Sequence, residues 1–306
     1  MEWIEIFAPA TIANLGPGFD VLGMAVRGWG DTVVARKIDS GIVISHIEPD
    51  LDLTSDPDEN TAGIAAREVL TLLKDPGGLE FHIKKGLPLG SGLGSSAASA
   101  AAGAFAANFL YGNTLTKEEL ILPATKAEEK VSGFHADNTA PSLLGGAVLI
   151  RSTRPLDVSH IGTIENLKII LVTPDVVILT RHAREILPHD VPLELFVRNA
   201  ANAAAVTAAF ARNDYELLVR GLKDLVVEPV RCQLIRGFDD VKAKAFAAGA
   251  DAVCISGSGP TLFAVTNQSG KRPEKIRQAM ARAFGKIDIR SKSIVTEMDL
   301  EGTRLI

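Results

Sequence analysis

Residues 88–102 read PLGSGLGSSAASAAA, and the rest of the chain is best understood from this stretch. Gly90, Gly92 and Gly94 allow the backbone to turn tightly and to come close to a ligand. Ser95 and Ser96 follow at the point where an alanine-rich helix should begin. The unpaired N–H groups and the positive dipole end of such a helix attract anions. The stretch therefore predicts a phosphate-binding loop.

This loop differs from the two most familiar nucleotide-binding patterns. No Gly-Lys-Ser/Thr follows its last glycine, as a P-loop requires. Its third glycine comes one residue too early for GxGxxG. The remaining alternative is a flexible glycine loop that only caps a helix.

Composition narrows the class of protein. The 306 residues suggest about two domains. The net charge of −5 and the interspersed charges argue against nucleic acid as a partner. Two cysteines, Cys232 and Cys254, are too few for a disulfide framework and indicate a reducing compartment. With no leader-like N-terminal segment and no run of membrane-spanning length, the sequence predicts a cytoplasmic protein without a membrane partner.

Apolar periodicity predicts the main elements. Trp3–Ala8 alternates as a half-buried strand, which Pro9 should end. Asp31–Ile38 and Gly41–Ile47 are β-branched runs separated by two residues, which predicts a hairpin. Leu143–Ile150 predicts a strand. Helices are predicted over Asn60–Lys74, from Ser95 to about Leu110, and over Thr116–Val131, Leu193–Arg212 and Phe238–Ala248.

The order of these elements follows no uniform β-α-β period, so we expect an α+β fold rather than a doubly wound parallel sheet. The segment Arg151–Glu165 is polar, contains proline and lacks periodicity. We place a domain boundary there. The expected domains are 1–155 and 156–306.

Three glycine-bearing loops stand far apart in the sequence, at Asn14–Gly18, Gly90–Ser96 and Ser256–Pro260. Each is flanked by apolar runs that can hold it rigid. Together they predict one shared cleft between two halves of the molecule.

Six stretches carry a resemblance to the GHMP superfamily of small-molecule kinases, and within it to the homoserine kinases. They are PATIANLGPGFDVLG (9–23), PLGSGLGSSAASAAA (88–102), HADNTAPSLLGG (135–146), TRHAREILP (180–188), EPVR (228–231) and ISGSGPTLFAV (255–265). The resemblance implies a ribosomal-protein-like N-terminal α/β domain, 1–155, which would bind ATP. It implies a ferredoxin-like C-terminal α/β sandwich, 156–306, which would add substrate contacts. It also implies transfer of the γ-phosphoryl group of ATP to the hydroxyl of L-homoserine, giving O-phospho-L-homoserine for threonine biosynthesis.

The resemblance assigns the ATP and Mg²⁺ contacts. Ser96 and Glu128 would hold Mg²⁺, with Ser95 as an alternative serine. Because this chain has one residue fewer than is usual between Ser132-Gly133 and the next histidine, Glu129 is an alternative to Glu128. The residues assigned to ATP are Pro88, Leu89, Gly90, Ser91, Gly92, Leu93, Gly94, Ser95, Ser96 and Asn60.

The resemblance likewise assigns the acceptor site. A bidentate guanidinium suits the carboxylate of an amino acid. The residues assigned to homoserine are Asn14, Asp20, Asn138, Arg184, Arg231 and Gly259.

The candidate catalytic residues are Asn138, Asp137, His135 and Glu128. Chemistry alone favours Asp137 as a general base, with His135 as the alternative. The resemblance instead implies that no strong dedicated base is used and that phosphate oxygens assist proton loss. We adopt the second view as a hypothesis.

Three other functions are alternatives to this one. Another GHMP kinase, of the mevalonate or shikimate type, would act on an acceptor without an ammonium group, which does not explain Asp20 beside two arginines. A nucleotide-binding module without catalysis and an RNA-binding protein are further alternatives. Family members are commonly dimeric, so a homodimer is an expectation from the resemblance alone.

Overall fold

The computed structural model describes residues 2–49 and 53–306. The strands are β1 (Ile4–Ala13), β2 (Leu22–Ile38), β3 (Gly41–Glu48), β4 (Gly78–Lys84), β5 (Ala147–Thr153), β6 (Leu156–Gly162), β7 (Lys168–Pro174), β8 (Ala252–Ile255), β9 (Leu262–Thr266), β10 (Ser291–Thr296) and β11 (Arg304–Leu305). The helices are α1 (Thr61–Leu73), α2 (Ser95–Leu110), α3 (Lys117–Glu129), α4 (Thr139–Leu144), α5 (Thr180–Glu185), α6 (Leu193–Arg212), α7 (Tyr215–Gly221), α8 (Glu228–Arg231), α9 (Phe238–Ala248) and α10 (Arg272–Gly285).

These elements form two sheets. One has seven strands, with the order β11-β1-β2-β4-β3 and with β5 and β6 continuing from β2. The other has four antiparallel strands in the order β10-β7-β9-β8. Helices and both kinds of strand pairing are mixed along the chain, which confirms the α+β prediction.

The predicted hairpin between β2 and β3 is wrong. Strand β4 lies between them, antiparallel to β2 and parallel to β3. The apolar side chains of β4, Leu79, Phe81 and Ile83, are fully buried. A strand with a neighbour on each side is buried more completely than a strand at the edge of the sheet. The two-residue link at Asp39 and Ser40 connects β2 to β3, which lies on the other side of β4. No local turn signal in the sequence indicates that a strand lies between them.

The prediction that Pro9 ends the first strand is also wrong, because β1 continues to Ala13. The pairing of β1 with β2 shifts register between Pro9 and Ala10. A register shift is a place where a residue without an N–H group is tolerated in a sheet. The extra residues of β1 carry the chain directly to the first glycine loop.

Helix α2 begins at Ser95 and lies against β1 and β2, as well as α1 and α3. Its alanines are almost all fully buried. Small side chains allow neighbours to pack closely on every side of the helix. Burial on all sides fixes the position and direction of the helix start, where the glycine loop ends.

Helix α3 begins with a complete capping box. The Thr116 hydroxyl accepts from the Glu119 backbone, and the Glu119 carboxylate accepts from the Thr116 backbone. Pro123 lies inside this helix without ending it. The predicted strand at Leu143–Ile150 is partly wrong, since Leu143 and Leu144 close α4 and the strand begins at Ala147.

Strand β7, inside the second sheet, is buried on both faces. In β7, Ile170 and Val172 pack with α9 and α10, whereas Ile169 and Leu171 join the core of the first sheet. A strand buried on both faces carries a continuous apolar run, as β7 does from Ile169 to Val172. The two halves of the molecule therefore share a core. Residues 151–165 contain the end of β5 and all of β6, and the division at 155/156 stays a prediction.

Candidate active site

A cleft of about 500 Å³ lies where the two sheets meet. Parts of all three glycine-bearing loops line it, as the sequence predicts. Of the predicted site residues it is lined by Asn14, Asp20, Asn60, Leu89, Gly90, Ser91, Gly92, Gly94, Ser95, Ser96, Glu128, His135, Asp137, Asn138, Arg184 and Arg231. Three predicted residues, all described by the structure, do not line it: Pro88, Leu93 and Gly259.

Leu93 and Gly259 support the loops from behind. Leu93 is fully buried, and its carbonyl accepts a hydrogen bond from the Thr11 backbone at 3.1 Å. The Gly259 N–H donates to the Ser256 carbonyl at 2.9 Å, while Gly257 and Ser258 face the cleft. The third loop therefore presents Gly257 and Ser258, rather than Gly259, to a ligand.

Gly94 closes the glycine loop onto the start of α2 with a left-handed backbone, φ +68°. A Cβ atom at this position would lie 2.2 Å from the Thr11 Oγ1 atom and 2.8 Å from Asn138 Oδ1. Only glycine fits, because both the backbone conformation and the space exclude a side chain. The close approach brings Asn138 next to the helix start, where N–H groups would attract an anion.

Glu128 extends from α3 toward the start of α2. Its carboxylate is buried, and Ser132 Oγ donates to Oε2 at 3.0 Å. Burial raises the pKa of Glu128, while the hydroxyls of Ser96 and Ser132 and the charge of Lys85 oppose the rise. Among the described residues, Oε1 of Glu128 and Oγ of Ser95 have no hydrogen-bond partner. Buried oxygens without partners are unusual and fit a cation that they would coordinate.

The alternative carboxylate, Glu129, lies on the exposed side of α3 and pairs with Arg154 at 3.5 Å. Within residues 2–49 and 53–306, no group of three or more His, Cys, Asp and Glu side chains forms a metal cage. One carboxylate and one hydroxyl suffice for Mg²⁺ that is also bound to phosphate. The geometry favours Glu128 over Glu129, and the metal contact itself stays a prediction.

Asp20 and Arg184 form a two-pronged ion pair, with Nη1 and Nη2 of the arginine 3.0 and 2.9 Å from the two carboxylate oxygens. His135 Nδ1 is 3.4 Å from Asp20 Oδ2. Burial is the main reason that the pKa of His135 lies below its ordinary value. The sequence predictions for Asp20, His135 and Arg184 thus fall on one cluster at the second end of the cleft.

Arg231 is 2% exposed and is held by backbone carbonyls. Its Nε donates to Ala183 O at 3.1 Å and its Nη1 to Gly257 O at 2.9 Å. It forms no ion pair with any residue that the structure describes. Burial and the neighbouring charge of Arg184 lower the pKa of Arg231 to about 10, so the group remains a cation at neutral pH. A buried cation without a carboxylate partner favours an anionic ligand.

Asn14 connects the first and third loops. Its Nδ2 donates to Gly257 O at 3.0 Å, and its Oδ1 accepts from the Asp20 backbone at 3.2 Å. Asn14 and Asp20 both have left-handed backbones, which asparagine and aspartate tolerate better than most residues. Asn14 therefore holds the loop that presents Asp20.

Asp137 and Asn138 lie between the two ends of the cleft. Asn138 Oδ1 accepts from Thr11 Oγ1 at 2.7 Å, which leaves its amide N–H groups free to donate. Burial, and secondarily the Asp20 charge, raises the pKa of Asp137 to about 7. A carboxyl group that titrates near neutrality in a cleft is typical of functional sites.

Asn60 is the N-cap residue of α1 and lies at the end of the cleft away from the Asp20–Arg184 pair. Its side chain accepts from Ala62 N and donates to Thr54 O, both at 3.0 Å. Ile47, Leu53, Ile83 and Val131 provide an apolar wall beside it. The arrangement suits a flat, largely apolar ring with polar edges, such as a nucleobase.

Sequence reasoning missed several residues of the cleft, among them Phe19 and Lys85. Phe19 lies under both arginines, with the guanidinium carbons of Arg184 and Arg231 4.9 and 5.1 Å from its ring centre. It belongs to the first motif, so its aromatic face was a signal that could have been used. Lys85 precedes the glycine loop by several residues, and nothing in that loop's pattern points to it.

The cleft has an anion-binding helix start at one end and an acid-and-arginine cluster at the other. The family model for the GHMP kinases N terminal domain matches residues 60–146, and that for the GHMP kinases C terminal domain matches 206–286. These matches confirm the predicted superfamily and its two-domain fold.

Individual relatives narrow the class. The chain is 44% identical to a homoserine kinase of Arabidopsis thaliana, over 99% of this chain and 84% of the relative. It is 42% identical to a homoserine kinase of Chloroherpeton thalassium, with both chains fully covered. The crystal structure of a homoserine kinase from Cytophaga hutchinsonii superimposes with a TM-score of 0.95 at 42% identity, covering 100% of this chain and 98% of that one.

The chain belongs to the homoserine kinase family. A mevalonate kinase of L. major, at 18% identity and a TM-score of 0.70 over 96% of each chain, shares the fold only. In the part of the chain that the structure describes, no helix has the length and apolar character needed to cross a membrane.

Proposed function

We propose that this protein transfers the γ-phosphoryl group of ATP to the side-chain hydroxyl of L-homoserine, which yields O-phospho-L-homoserine and ADP. Membership in the family supports the reaction. Arg231 is the observation that most supports homoserine as the acceptor. This buried cation has no carboxylate partner and lies beside the Asp20–Arg184 pair. Such a cluster is complementary to a small molecule that bears both a carboxylate and an ammonium group.

The amino acid head would lie between these charges. Its carboxylate would accept hydrogen bonds from Arg231 and Arg184, whose planar guanidinium groups suit two-oxygen acceptors. Its ammonium group would donate to Asp20, with Asp137 behind it. Mevalonate and shikimate lack the ammonium group and would not make the contact with Asp20 and Asp137, and a site built for a polar contact rejects the analogue that lacks it.

The phosphate chain would lie on the glycine loop and the start of α2. Glu128 would hold Mg²⁺ together with Ser96 or the alternative serine, Ser95. The unpartnered buried oxygens of Glu128 and Ser95 support a cation there. Bound Mg²⁺ neutralises charge on the phosphate oxygens. Asn60 and the apolar wall beside it would take the adenine.

The reaction is a direct displacement. The homoserine hydroxyl oxygen attacks the γ-phosphorus, the bond to the β,γ-bridging oxygen breaks, and ADP leaves. Asn138 lies next to the helix start and would orient the hydroxyl through its amide group. The hydroxyl proton would pass to a phosphate oxygen, according to the hypothesis of no strong base; Asp137 is the alternative acceptor.

The charge of Asp137 predicts a pH dependence. Its pKa is raised to about 7 by burial, so the carboxyl is neutral below that pH and ionised above it. Because the ionised form attracts the ammonium group, we expect kcat/KM for homoserine to rise with pH through about 7 and then level off. Asp137→Asn should remove this limb. The measurement is a profile of initial rates between pH 6 and 9.

Asp137→Asn and Asn138→Ala together distinguish an ammonium contact from a general base at Asp137. If it only contacts the ammonium group, Asp137→Asn raises KM and leaves kcat largely intact. If Asp137→Asn and Asn138→Ala each abolish turnover with homoserine binding unchanged, the hypothesis of no strong base is wrong. A flat profile in the unmodified protein contradicts the assigned titration. His135 does not supply this limb, because burial lowers its pKa.

The choice of acceptor tests the whole proposal. Purified protein with ATP and Mg²⁺ is incubated with homoserine, mevalonate, shikimate or galactose, and ADP formation is followed by a coupled assay. We expect stimulation by homoserine alone and a product identified as O-phosphohomoserine by mass spectrometry. Stimulation by another acceptor, with none by homoserine, would reject the assignment.

The setting of the reaction is part of the proposal. We place it in the cytoplasm, because the two free cysteines and the biosynthetic role of the family agree with a reducing compartment. A homodimer is expected from the family resemblance. Net charge of −5 argues against RNA as a ligand.

A further inference from the structure

A buried polar cluster lies directly beneath the glycine loop, outside the residues discussed as ligand contacts. It consists of Asp31 on β2, Lys85 at the end of β4 and Ser99 on α2, and we call it the clasp. The side chains of Asp31 and Lys85 are 0% and 4% exposed. Two opposite charges buried this deeply need complete hydrogen bonding to be tolerated.

Asp31 receives four hydrogen bonds. Its Oδ1 accepts from the backbone N–H groups of Gly86 and Leu87 at 3.0 and 3.1 Å. Its Oδ2 accepts from Ser99 Oγ at 3.0 Å and from the Lys85 ammonium group. One carboxylate thus binds the backbone that enters the glycine loop and the helix that leaves it.

Lys85 completes the clasp from the other side. Besides Asp31, its Nζ donates to Ser99 Oγ at 2.8 Å and to the Ser95 carbonyl at 3.0 Å. Ser95 is the first residue of α2 and supplies one of the unpartnered hydroxyls of the metal region. The three donors of the ammonium group are therefore all engaged with protein atoms at the base of the loop.

The surrounding backbone is packed for this arrangement. A Cβ atom on Gly86 would lie 2.1 Å from the carbonyl oxygen of Gly30, the residue before Asp31. The close approach of these two strand segments is what allows one carboxylate to reach two successive N–H groups. The glycine loop is thereby fixed at both ends, although its glycines alone would leave it flexible.

We propose that Asp31 is a positioning residue for nucleotide binding, which acts through Lys85 and Ser99 by clasping the two ends of the phosphate loop. The inference rests on the proposed function, since it assumes that the loop binds ATP. Its consequence is that the loop is pre-organised before the nucleotide arrives. Loss of the clasp should weaken nucleotide binding and leave the distant amino acid end of the cleft unchanged.

The test uses Asp31→Asn, Lys85→Met and the double variant in the full-length protein. Affinity for the ATP analogue AMPPNP with Mg²⁺ is measured by calorimetry, and KM for homoserine is measured separately. For Asp31→Asn we expect nucleotide affinity to fall about tenfold or more, the size typical of lost hydrogen bonds to a charged group. KM for homoserine should change less than about twofold. The double variant should be little weaker than either single one, because the residues act as one unit.

Asp299 offers a matched control. It is 1% exposed, accepts from two backbone N–H groups, of Glu301 and Gly302, and pairs with Arg304, but lies outside the cleft. Asp299→Asn should lower the melting temperature as Asp31→Asn does and keep full nucleotide affinity. Ser99→Ala retains both charges of the clasp and replaces Asp31→Asn as the test if that variant does not fold. We expect it to weaken AMPPNP binding about threefold.

Several results would overturn the inference. One is an Asp31→Asn protein, or a Ser99→Ala protein where the former does not fold, that binds AMPPNP as tightly as the unmodified protein. Another is a double variant whose fold-loss of AMPPNP affinity equals the product of the losses in the two single variants. That result would mean that Lys85 contacts the nucleotide independently. If the unmodified protein itself fails to bind AMPPNP, the proposed function is wrong and this inference falls with it.

Discussion

Replacing Arg231 by lysine is expected to lower kcat/KM for homoserine by about 100-fold or more, mainly through a higher KM. Each lost hydrogen bond to a charged group costs about 1.5–3 kcal/mol, and each 1.4 kcal/mol is a factor of ten. The guanidinium group holds Ala183 O and Gly257 O with two of its five N–H donors and keeps the others for a ligand. A lysine ammonium cannot hold both carbonyls and also bind a carboxylate with two parallel bonds. Steady-state kinetics with each substrate varied in turn will measure the change.

The KM for ATP separates this effect from general damage. It should stay within about twofold of the unmodified value, because Arg231 lies at the amino acid end of the cleft. Arg304→Lys is the control, since Arg304 pairs with Asp299 away from the cleft. An Arg231→Lys protein that loses kcat while its KM for homoserine is unchanged would contradict the assigned role.

Replacing Glu128 by glutamine is expected to reduce kcat by about 10²- to 10³-fold, the loss typical when a fixed charge that stabilises a transition state is removed. The rate should also require a higher concentration of Mg²⁺. The melting temperature should hold or rise, because burial raises the pKa of Glu128 and the neutral amide avoids that cost. Activity, metal dependence and thermal unfolding measured on one sample distinguish a lost ligand from a misfolded protein.

Glu129→Gln is the matched control, one position along the same helix. Glu129 is exposed and pairs only with the side chain of Arg154 among described groups. Exposed pairs of this kind contribute little. We expect a change in kcat of less than about twofold. If Glu129→Gln instead loses activity and Glu128→Gln keeps it, the metal carboxylate has been assigned to the wrong residue.

Local patterns predicted much of the molecule. The helix that follows the glycine loop begins at Ser95 and ends at Leu110 as expected, since its start and stop signals are both local. Most of the site came from motifs whose residues are close in sequence. Asp20, Arg184 and Arg231 were assigned to one site by resemblance, and the structure brings them together from three separate segments.

Features that depend on distant partners were not predicted. The predicted hairpin of Asp31–Ile38 and Gly41–Ile47 is wrong because β4, which comes later in the chain, lies between the two strands and pairs with both. Lys85 was overlooked for the same reason, as its carboxylate partner Asp31 lies on another strand. In each case the deciding interaction joins residues that no spacing rule relates.

The glycine loop is tied to the C-terminal half of the molecule by three hydrogen bonds. Ile178 N and Thr261 N donate to the carbonyls of Gly90 and Ser91 at 3.2 and 3.1 Å, and Ser256 Oγ donates to Gly92 O at 2.7 Å. A hinge motion that separated the two halves would break these bonds and distort the loop. We therefore expect ATP and ADP to be exchanged through the mouth of the cleft, without separation of the two halves.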